Sequence, residues 1–378
     1  VWDLIVVGAG PAGATAALSA LAHEPRAAVL LIDRDAFPRD KACGDGIAPH
    51  AMDVLRRVGV AADPTWAQVP RMRLGFAGGP TVVGSFRRPA YVVPRTRFDA
   101  RLVEAAVARG AHVRRQRVRR VEQVPGRVLV DGEAARAVVG ADGATGVVRR
   151  ELRLADPASG TVALAIRGYA PVPASDRVRR HEQVIVFAEH GWPAYAWSFP
   201  IGDGRANVGY GEVLRTGGGP SRADLLSRLD ALLPGAGEGA TQWRAHHLPL
   251  STGRPRQPGG RVLLAGDALS LINPLTGEGI YYAALSGLLA GAAAVDQATG
   301  DPGTAYRRAL RRELGAHLRH TDLVARLARH PRVVAAGVAA AARDGHVFDD
   351  LVEVGLGRGR LTARVVGGLA AALRPGRR

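Results

Sequence analysis

The sequence predicts an α/β chain in which a parallel-stranded nucleotide-binding core is interrupted by an antiparallel sheet and followed by a helical region. Three observations carry this. Gly8-Ala9-Gly10-Pro11-Ala12-Gly13 sits between an apolar run and an alanine-rich helical stretch. From Glu151 the texture changes to strands of alternating polarity, and near Arg261 a short apolar run returns and leads into a second glycine-rich turn and helix. The 378 residues allow two or three cores at about 150 residues each, and 47% hydrophobic with 22% charged residues excludes disorder as the main state.

Residues 4–7 read as a strand, the glycine segment as a tight turn, and the residues up to 22 as a helix. A second apolar run, 27–32, ends in Asp33 and completes a βαβ unit with parallel strands. Gly8, Gly10 and Gly13 permit the turn and a close backbone approach to a pyrophosphate, while the helix N-terminus adds partial positive charge. Asp33, 20 residues beyond the third glycine, is placed to accept from a ribose hydroxyl. An acid there favours FAD or NAD over NADP, whose 2′-phosphate it would repel. Helices at 50–58 and 97–109 flank a strand-like region at 72–93, and strands at 128–130 and 137–139 lead to Asp142-Gly143. Then come alternating strands at 161–168 and 183–188, and a hairpin pairing 194–199 with 207–212 across Gly202-Asp203-Gly204. Ser221-Arg222-Ala223-Asp224 opens a helix with a capping-box pattern, bounded by glycine clusters at 217–219 and 235–239. A strand at 261–265 and a helix at 279–295 return to the first texture. The expected organisation is a discontinuous Rossmann-type domain (1–70, 95–150 and 255–300), an inserted antiparallel-sheet substrate domain (71–94 and 151–254), and a C-terminal helical region (301–378).

The longest uncharged apolar stretch, 279–295, falls short of the roughly 20 residues that span a bilayer. The N-terminal run lacks a basic segment and a cleavage site, and a single cysteine makes no internal disulfide, so a reducing cytoplasm is the expected compartment. The net charge of +17 favours anionic partners. Fifteen arginines against six acids after residue 304 place +9 of it in the helical C-terminal region. Stacking on single-stranded nucleic acid is poorly supported there, and no nucleic-acid partner is expected. Lys41 is the only lysine and Cys43 the only cysteine, and they stand two residues apart in Pro38-Arg39-Asp40-Lys41-Ala42-Cys43-Gly44-Asp45-Gly46. The histidine pairs at 246–247 and at 317 and 320 have no cysteine or carboxylate ligand near them in sequence, so no metal is expected.

Two further segments bear on a cofactor. The strand ending in Gly140-Ala141-Asp142-Gly143 is one; the other is Gly266-Asp267-Ala268 followed by Asn273-Pro274-Leu275-Thr276-Gly277-Glu278-Gly279-Ile280. Asp267 is delivered where it could bind a ribityl hydroxyl, and the amides of the next helix N-terminus could stabilise negative charge at a flavin N1/O2 edge; taken alone, Asp-Gly and Gly-Asp are also common turns. In this order and spacing the segments resemble FAD-dependent oxidoreductases of the p-hydroxybenzoate hydroxylase fold, over about residues 3–295. Three signatures resemble the geranylgeranyl reductase family within it: Pro38-Arg39-x-Lys41-x-Cys43-Gly44-x-Gly46, Tyr195-Ala196-Trp197-Ser198-Phe199-Pro200, and Pro274 to Ile280. Asp45 stands where a glycine is frequent, Leu269-Ser270 where a small pair is usual, and Thr145-Gly146 in place of Asn-Ser.

The resemblance implies FAD held by Gly8, Gly10, Gly13, Asp33, Arg34, Arg97, Asp142, Asp267, Pro274, Gly277, Gly279 and Ile280. It also implies catalysis at Cys43, Lys41, Tyr195 and Trp197, on the carbon–carbon double bonds of a lipophilic, isoprenoid substrate. NAD(P)H is then a transient electron donor, since there is one nucleotide fingerprint. A cation beside Cys43 would depress the thiol pKa; a packed, inert cysteine is the alternative. Tyr195, Trp197 and Phe199 alternate and share one strand face, walling either a flat cavity or an ordinary core. Arg97 is alternatively an exposed helix cap. A flavin monooxygenase or halogenase of a natural-product pathway is the competing enzyme, and an FAD-dependent scaffold the competing class. The basic C-terminal region is read either as a lid that meets an anionic membrane or as a solvated face. Oligomeric state stays open.

Overall fold

The computed structural model describes the chain except residues 155–157, 159, 190–192, 216–218, 299 and 374–378, so two residues of the 217–219 glycine cluster and the last five of the C-terminal region lie outside the described residues. The first sheet runs His112–Arg115, Val29–Asp33, Trp2–Val7, Glu133–Gly140, Arg127–Val130, Val121–Val124, with Val262–Leu264 added in parallel to Glu133–Gly140. Its central strands pair in parallel, Val6 with Leu31 on one side and Val139 on the other. Their apolar runs are buried throughout the core because helices cover both faces.

The helix Pro11–His23 packs on the helix Ile280–Val295 with almost no side chain between them. A Cβ on Gly287 would lie 2.1 Å from the Ala12 carbonyl oxygen, and one on Gly291 2.1 Å from that of Ala16. The contact is locked by Ser19, whose hydroxyl donates to the Leu288 carbonyl at 2.7 Å. The alanine-rich texture therefore reflects helices buried all round.

The second sheet is ordered Thr241–Pro249, Val162–Pro171, Arg205–Val213, Ala194–Pro200, Glu182–Phe187, Arg71–Phe76, Thr81–Ser85. It is antiparallel apart from one parallel pairing, Glu182–Phe187 with Arg71–Phe76, where the 71–85 stretch joins strands that begin a hundred residues later. The hairpin turns at 202–204 with Pro200 opposite Ala206. The helix Arg222–Leu232 has a complete capping box from Ser221 and Asp224, and Leu225 and Leu229 pack on Ile166, Ala196 and Tyr210. A small sheet of Gly46–Ile47, Tyr91–Val92 and Ala67–Gln68 anchors the end of the cysteine loop. The helices Pro302–Leu327, Pro331–Arg343, Gly345–Leu356 and Ala363–Leu373 follow. Ala340, Ala341, Val347, Phe348 and Val365 from them share one apolar cluster with Met72, Ile185 and Trp197.

Candidate active site

Between the first sheet, the cysteine loop and the second sheet lies a cavity of about 940 Å³. At one end the strand Trp2–Val7 turns at Gly8, where φ is +99° and a Cβ would lie 2.3 Å from the Ala141 carbonyl oxygen. Gly13 does not line the cavity; a Cβ there would meet the Gly8 carbonyl oxygen at 1.7 Å, so this glycine brings helix and turn together. No side chain caps the helix at Gly10, and its first turn holds no acid. Asp33 accepts the Ala9 amide at 2.8 Å and the Asp35 amide at 3.0 Å, fixing the acid beside the turn. Arg34 lies on the exposed rim, paired with Asp35 at 3.4 Å.

The guanidinium groups of Arg39 and Arg95 face Gly10; a Cβ there would stand 3.3 and 3.9 Å from them. Arg95 grips the buried Asp99 bidentately, both bonds 2.7 Å, and Arg39 reaches the same carboxylate at 2.9 Å. Arg39 also lies 3.9 Å from Asp33, so two guanidiniums are matched by two carboxylates, and the uncapped amides of the helix N-terminus are what make this end suited to an anion. The expectation for Arg97 is corrected: it is exposed, bonds to Thr65 and does not line the cavity. The helix Arg95–Ala108 starts two residues earlier than expected, and two residues turn a helix by roughly 200°, so Arg95 faces inward and Arg97 outward.

Asp142 accepts the Val148 amide at 3.0 Å through Oδ2, while its buried Oδ1 has no hydrogen-bond partner; burial pushes the carboxyl up. Asp267, on the turn Gly266–Leu269, receives Lys41 Nζ at 3.1 Å. Burial works against its charge, but Lys41, His246 and Arg95 outweigh that and hold it below the usual carboxylate range. Pro274, Gly277, Gly279 and Ile280 line the far end, ahead of the helix Ile280–Val295, whose Tyr281 amide donates to the Glu278 carboxyl at 2.7 Å. Gly277 has φ +67° and leaves room for Tyr195, whose hydroxyl donates to the Thr276 carbonyl at 2.5 Å. Glu278 lines the same end, and burial pushes it up to about 7.

Tyr195, Trp197 and Phe199 form one wall, with successive ring centroids 5.8 and 6.5 Å apart. The wall packs on the cysteine loop so closely that a Cβ on Gly44 would lie 3.3 Å from the Phe199 ring. The stripe is core and cavity wall at once, because Trp197 also belongs to the cluster under the C-terminal helices.

Cys43 lines the cavity, but its cationic neighbour is Arg95, since Lys41 turns away to Asp267. Burial pushes the thiol up in spite of Arg95, which corrects the expectation of a depressed pKa: the loop keeps Cys43 protonated. The second sheet holds this loop by side chains the sequence does not single out. Arg167 donates to Asp40 and to the Lys41 carbonyl, and Arg244 pairs with Asp40. Asn207 donates to the Cys43 carbonyl at 2.7 Å and accepts from Trp197 at 2.9 Å. Two departures from the family pattern take left-handed backbone, Asp45 at φ +62° and Ser270 at φ +52°, and the Ser270 hydroxyl receives Arg149 at 2.8 Å. Of the groups missed, Arg39 lies inside a quoted motif and Arg95 two residues from an expected one; Arg167, Asn207 and Tyr169, whose hydroxyl donates to Asp45 at 2.5 Å, carry no motif signal at all.

The FAD binding domain family matches residues 2–196. A menaquinone reductase of Mycolicibacterium smegmatis is 34% identical over 319 residues, covering 76% of this chain and 75% of that protein. Digeranylgeranylglycerophospholipid reductase 1 of Methanopyrus kandleri is 34% identical over 315 residues, covering 78% and 80%. The chain belongs to the geranylgeranyl reductase family of FAD-dependent oxidoreductases. In fold the enzyme is similar to a geranylgeranyl bacteriochlorophyll reductase-like protein from Thermoplasma acidophilum, with a TM-score of 0.75 at 20% identity over 98% of this chain and 96% of that one. A flavin-dependent brominase shares the fold at a TM-score of 0.74 and 17% identity, over 93% and 92%. The residues present fit FAD: an uncapped helix N-terminus flanked by two guanidiniums suits the pyrophosphate, and Asp142 offers a buried oxygen that lacks a donor.

Proposed function

We propose that this flavoenzyme saturates carbon–carbon double bonds in an isoprenoid lipid, on the observation that one cavity joins the dinucleotide turn, the protonated Cys43 and the aromatic wall. Gly8, Gly10, Asp33, Arg34 and Asp142 hold FAD at one end, Asp267, Pro274, Gly277, Gly279 and Ile280 at the other, and Gly13 acts through packing. When bound and reduced, FAD supplies hydride to the double bond. Cys43, kept as a thiol by burial, gives the proton that the neighbouring carbon requires. Tyr195 and Trp197 hold the flat alkene against the site and exclude water, and Lys41 fixes Asp267. The names of the relatives, a menaquinone reductase and a digeranylgeranylglycerophospholipid reductase, support a prenyl-bearing lipid as substrate. NAD(P)H serves as a transient donor. Residues 1–70, 95–150 and 255–300 bind FAD, 71–94 and 151–254 the substrate, and 301–378 close the cavity and meet an anionic membrane surface from a cytoplasmic location.

The test is mass spectrometry of anaerobic incubations of dithionite-reduced enzyme with menaquinone, geranylgeranyl diphosphate and digeranylgeranyl ether lipid. One pair of hydrogens gained per bond is the expected result. Oxygen-dependent hydroxylation or halogenation, with no saturation, would replace the reading with the monooxygenase class.

A further inference from the structure

Gln183 brings an amide into the aromatic wall and leaves it without a partner. The residue is 5% exposed and lines the cavity, yet its side chain makes no hydrogen bond with any described residue. Strand alternation puts it on the face that builds the wall. In the parallel pairing Gln183 stands opposite Met72 and Ile185 opposite Leu74, and Ile185 meets Trp197 on its other side. The amide also borders the cysteine loop, where a Cβ on Gly46 would lie 3.7 Å from the Phe199 ring and 3.9 Å from Gln183 Oε1. An apolar side chain would pack at this position as its neighbours do, and an amide buried for structure would have a protein partner. The group that satisfies Gln183 therefore comes from what fills the cavity.

The charges around the cavity decide the chemistry of that group. Asp99 holds Arg39 and Arg95, Asp267 holds Lys41, and Asp40 holds Arg167 and Arg244. The other lining arginines stand at the dinucleotide end. Arg34 is paired with Asp35 there, the Gln116 amide ties the segment of Arg117 and Arg119 to the Asp33 carbonyl at 2.7 Å, and Arg150 lies near Asp142. Among the described residues no free cation faces the wall, and the acids that border it, Asp45 and Glu278, supply no positive charge in either protonation state. A diphosphate buried beside Gln183 would keep its charge uncompensated. An amide alone suits an uncharged oxygen, since it donates to a carbonyl and accepts from a hydroxyl.

We propose that Gln183 reads the polar head of the substrate, hydrogen-bonding an uncharged carbonyl or hydroxyl oxygen at the end of the prenyl chain. This deepens the substrate assignment above and rests on it. Apolar contact with Trp197 and Phe199 holds a prenyl lipid without fixing its direction, and one hydrogen bond decides which end of the chain lies at the wall.

Binding to the FAD-loaded, oxidised enzyme tests this without turnover, followed by perturbation of the flavin absorbance in one detergent. The probes are a geranylgeranyl naphthoquinone, geranylgeraniol, geranylgeranyl diphosphate and the hydrocarbon of the same chain. Wild type should bind the quinone or the alcohol about tenfold more tightly than the diphosphate. Gln183→Leu and Gln183→Met should weaken that binding about tenfold and leave the hydrocarbon unchanged. Both should keep the wild-type flavin content and spectrum, and unfold at an equal or higher urea concentration because an unpartnered amide is gone. Loss confined to the quinone assigns a carbonyl to Gln183, and loss confined to the alcohol a hydroxyl. Four results would overturn the proposal: equal weakening of the hydrocarbon, which makes Gln183 a packing residue; a lost or shifted flavin spectrum, which gives its amide to the cofactor; unchanged affinity for every probe, which leaves the amide to water; and tighter binding of the diphosphate than of the alcohol. Selectivity that depends on Gln183 in an enzyme that saturates none of the probes would overturn the reaction proposed above and leave the head recognition standing.

Discussion

Glu278 accepts the Tyr281 amide at 2.7 Å, yet burial raises it from 4.5 to about 7, so near neutral pH the folded chain holds a proton that an unfolded glutamate has released. Between those values the folded state binds more protons, and stability falls as pH rises through the window and levels off above it. Glu278→Gln keeps the shape and removes the titration. The unfolding free energy of wild type minus that of this variant should therefore decline between about pH 4.5 and 7 in urea titrations; a flat difference would mean that the carboxyl is solvated. Cys43→Ala should lower turnover on the order of 100-fold while the ratio of flavin to protein stays at the wild-type value, because the thiol is assigned to proton delivery and not to cofactor retention. Unchanged turnover would return Cys43 to packing. The motif residues were legible at this scale because glycines, an acid at fixed spacing and a lone Lys and Cys are rare patterns. Arg95 was missed by two residues, since helix phase depends on where Pro94 starts the helix. Tyr169 and Asn207 were missed because strand alternation says which face a residue takes and not what it meets there.

The contact between the helices Pro11–His23 and Ile280–Val295 is set by backbone, so it has little tolerance for volume. Gly291→Val would place Cβ 2.1 Å from the Ala16 carbonyl oxygen, which no rotamer relieves. It should lower stability by about 3 kcal/mol, read as a shift of the guanidinium midpoint, and lower flavin content as the first helix is displaced from the turn. Gly367→Ala, in the helix Ala363–Leu373 with nothing within 4 Å of the new Cβ, should instead be neutral or stabilising by up to about 1 kcal/mol. Equal losses in both would mean that the helix pair is loosely packed. The βαβ unit, the hairpin at 202–204 and the capped helix after Ser221 were legible because their signals are local. Thr241–Pro249 was not, since it is a polar, largely exposed edge strand that pairs on one side only. The parallel pairing of 71–76 with 182–187 was also hidden, because a partner so distant in sequence leaves no local mark.

At the scale of the whole molecule the C-terminal helices present two unlike faces. Inward, Phe348, Val347 and Val365 join the cluster of Trp197, and Leu356 lines the cavity. Outward, the helix Ala363–Leu373 buries Val365 alone, and Val366 and Leu373 are about half exposed, as are Leu323 and Leu327 near the end of Pro302–Leu327. Asp349 and Asp350 are engaged with Arg87 and Thr362. Arg326, Arg329, Arg332 and Arg364 have no carboxylate within ion-pair distance among the described residues. Among those residues no helix is long and apolar enough to cross a membrane; the membrane contact proposed above is assigned to this surface. Each basic residue near an anionic surface contributes about 1 kcal/mol, and four together raise partitioning roughly a thousandfold, an attraction that weakens as salt shortens the Debye length. Sedimentation should therefore recover the enzyme with phosphatidylglycerol vesicles at low salt, release it at high salt, and leave it in the supernatant with phosphatidylcholine. Replacing the four arginines with glutamine should abolish the difference while FAD content stays unchanged, since none of them lines the cavity. Equal, salt-insensitive partitioning to both vesicles would make the arginines a solvated face, and the lipid substrate would then have to reach the aromatic wall in dispersed or carried form.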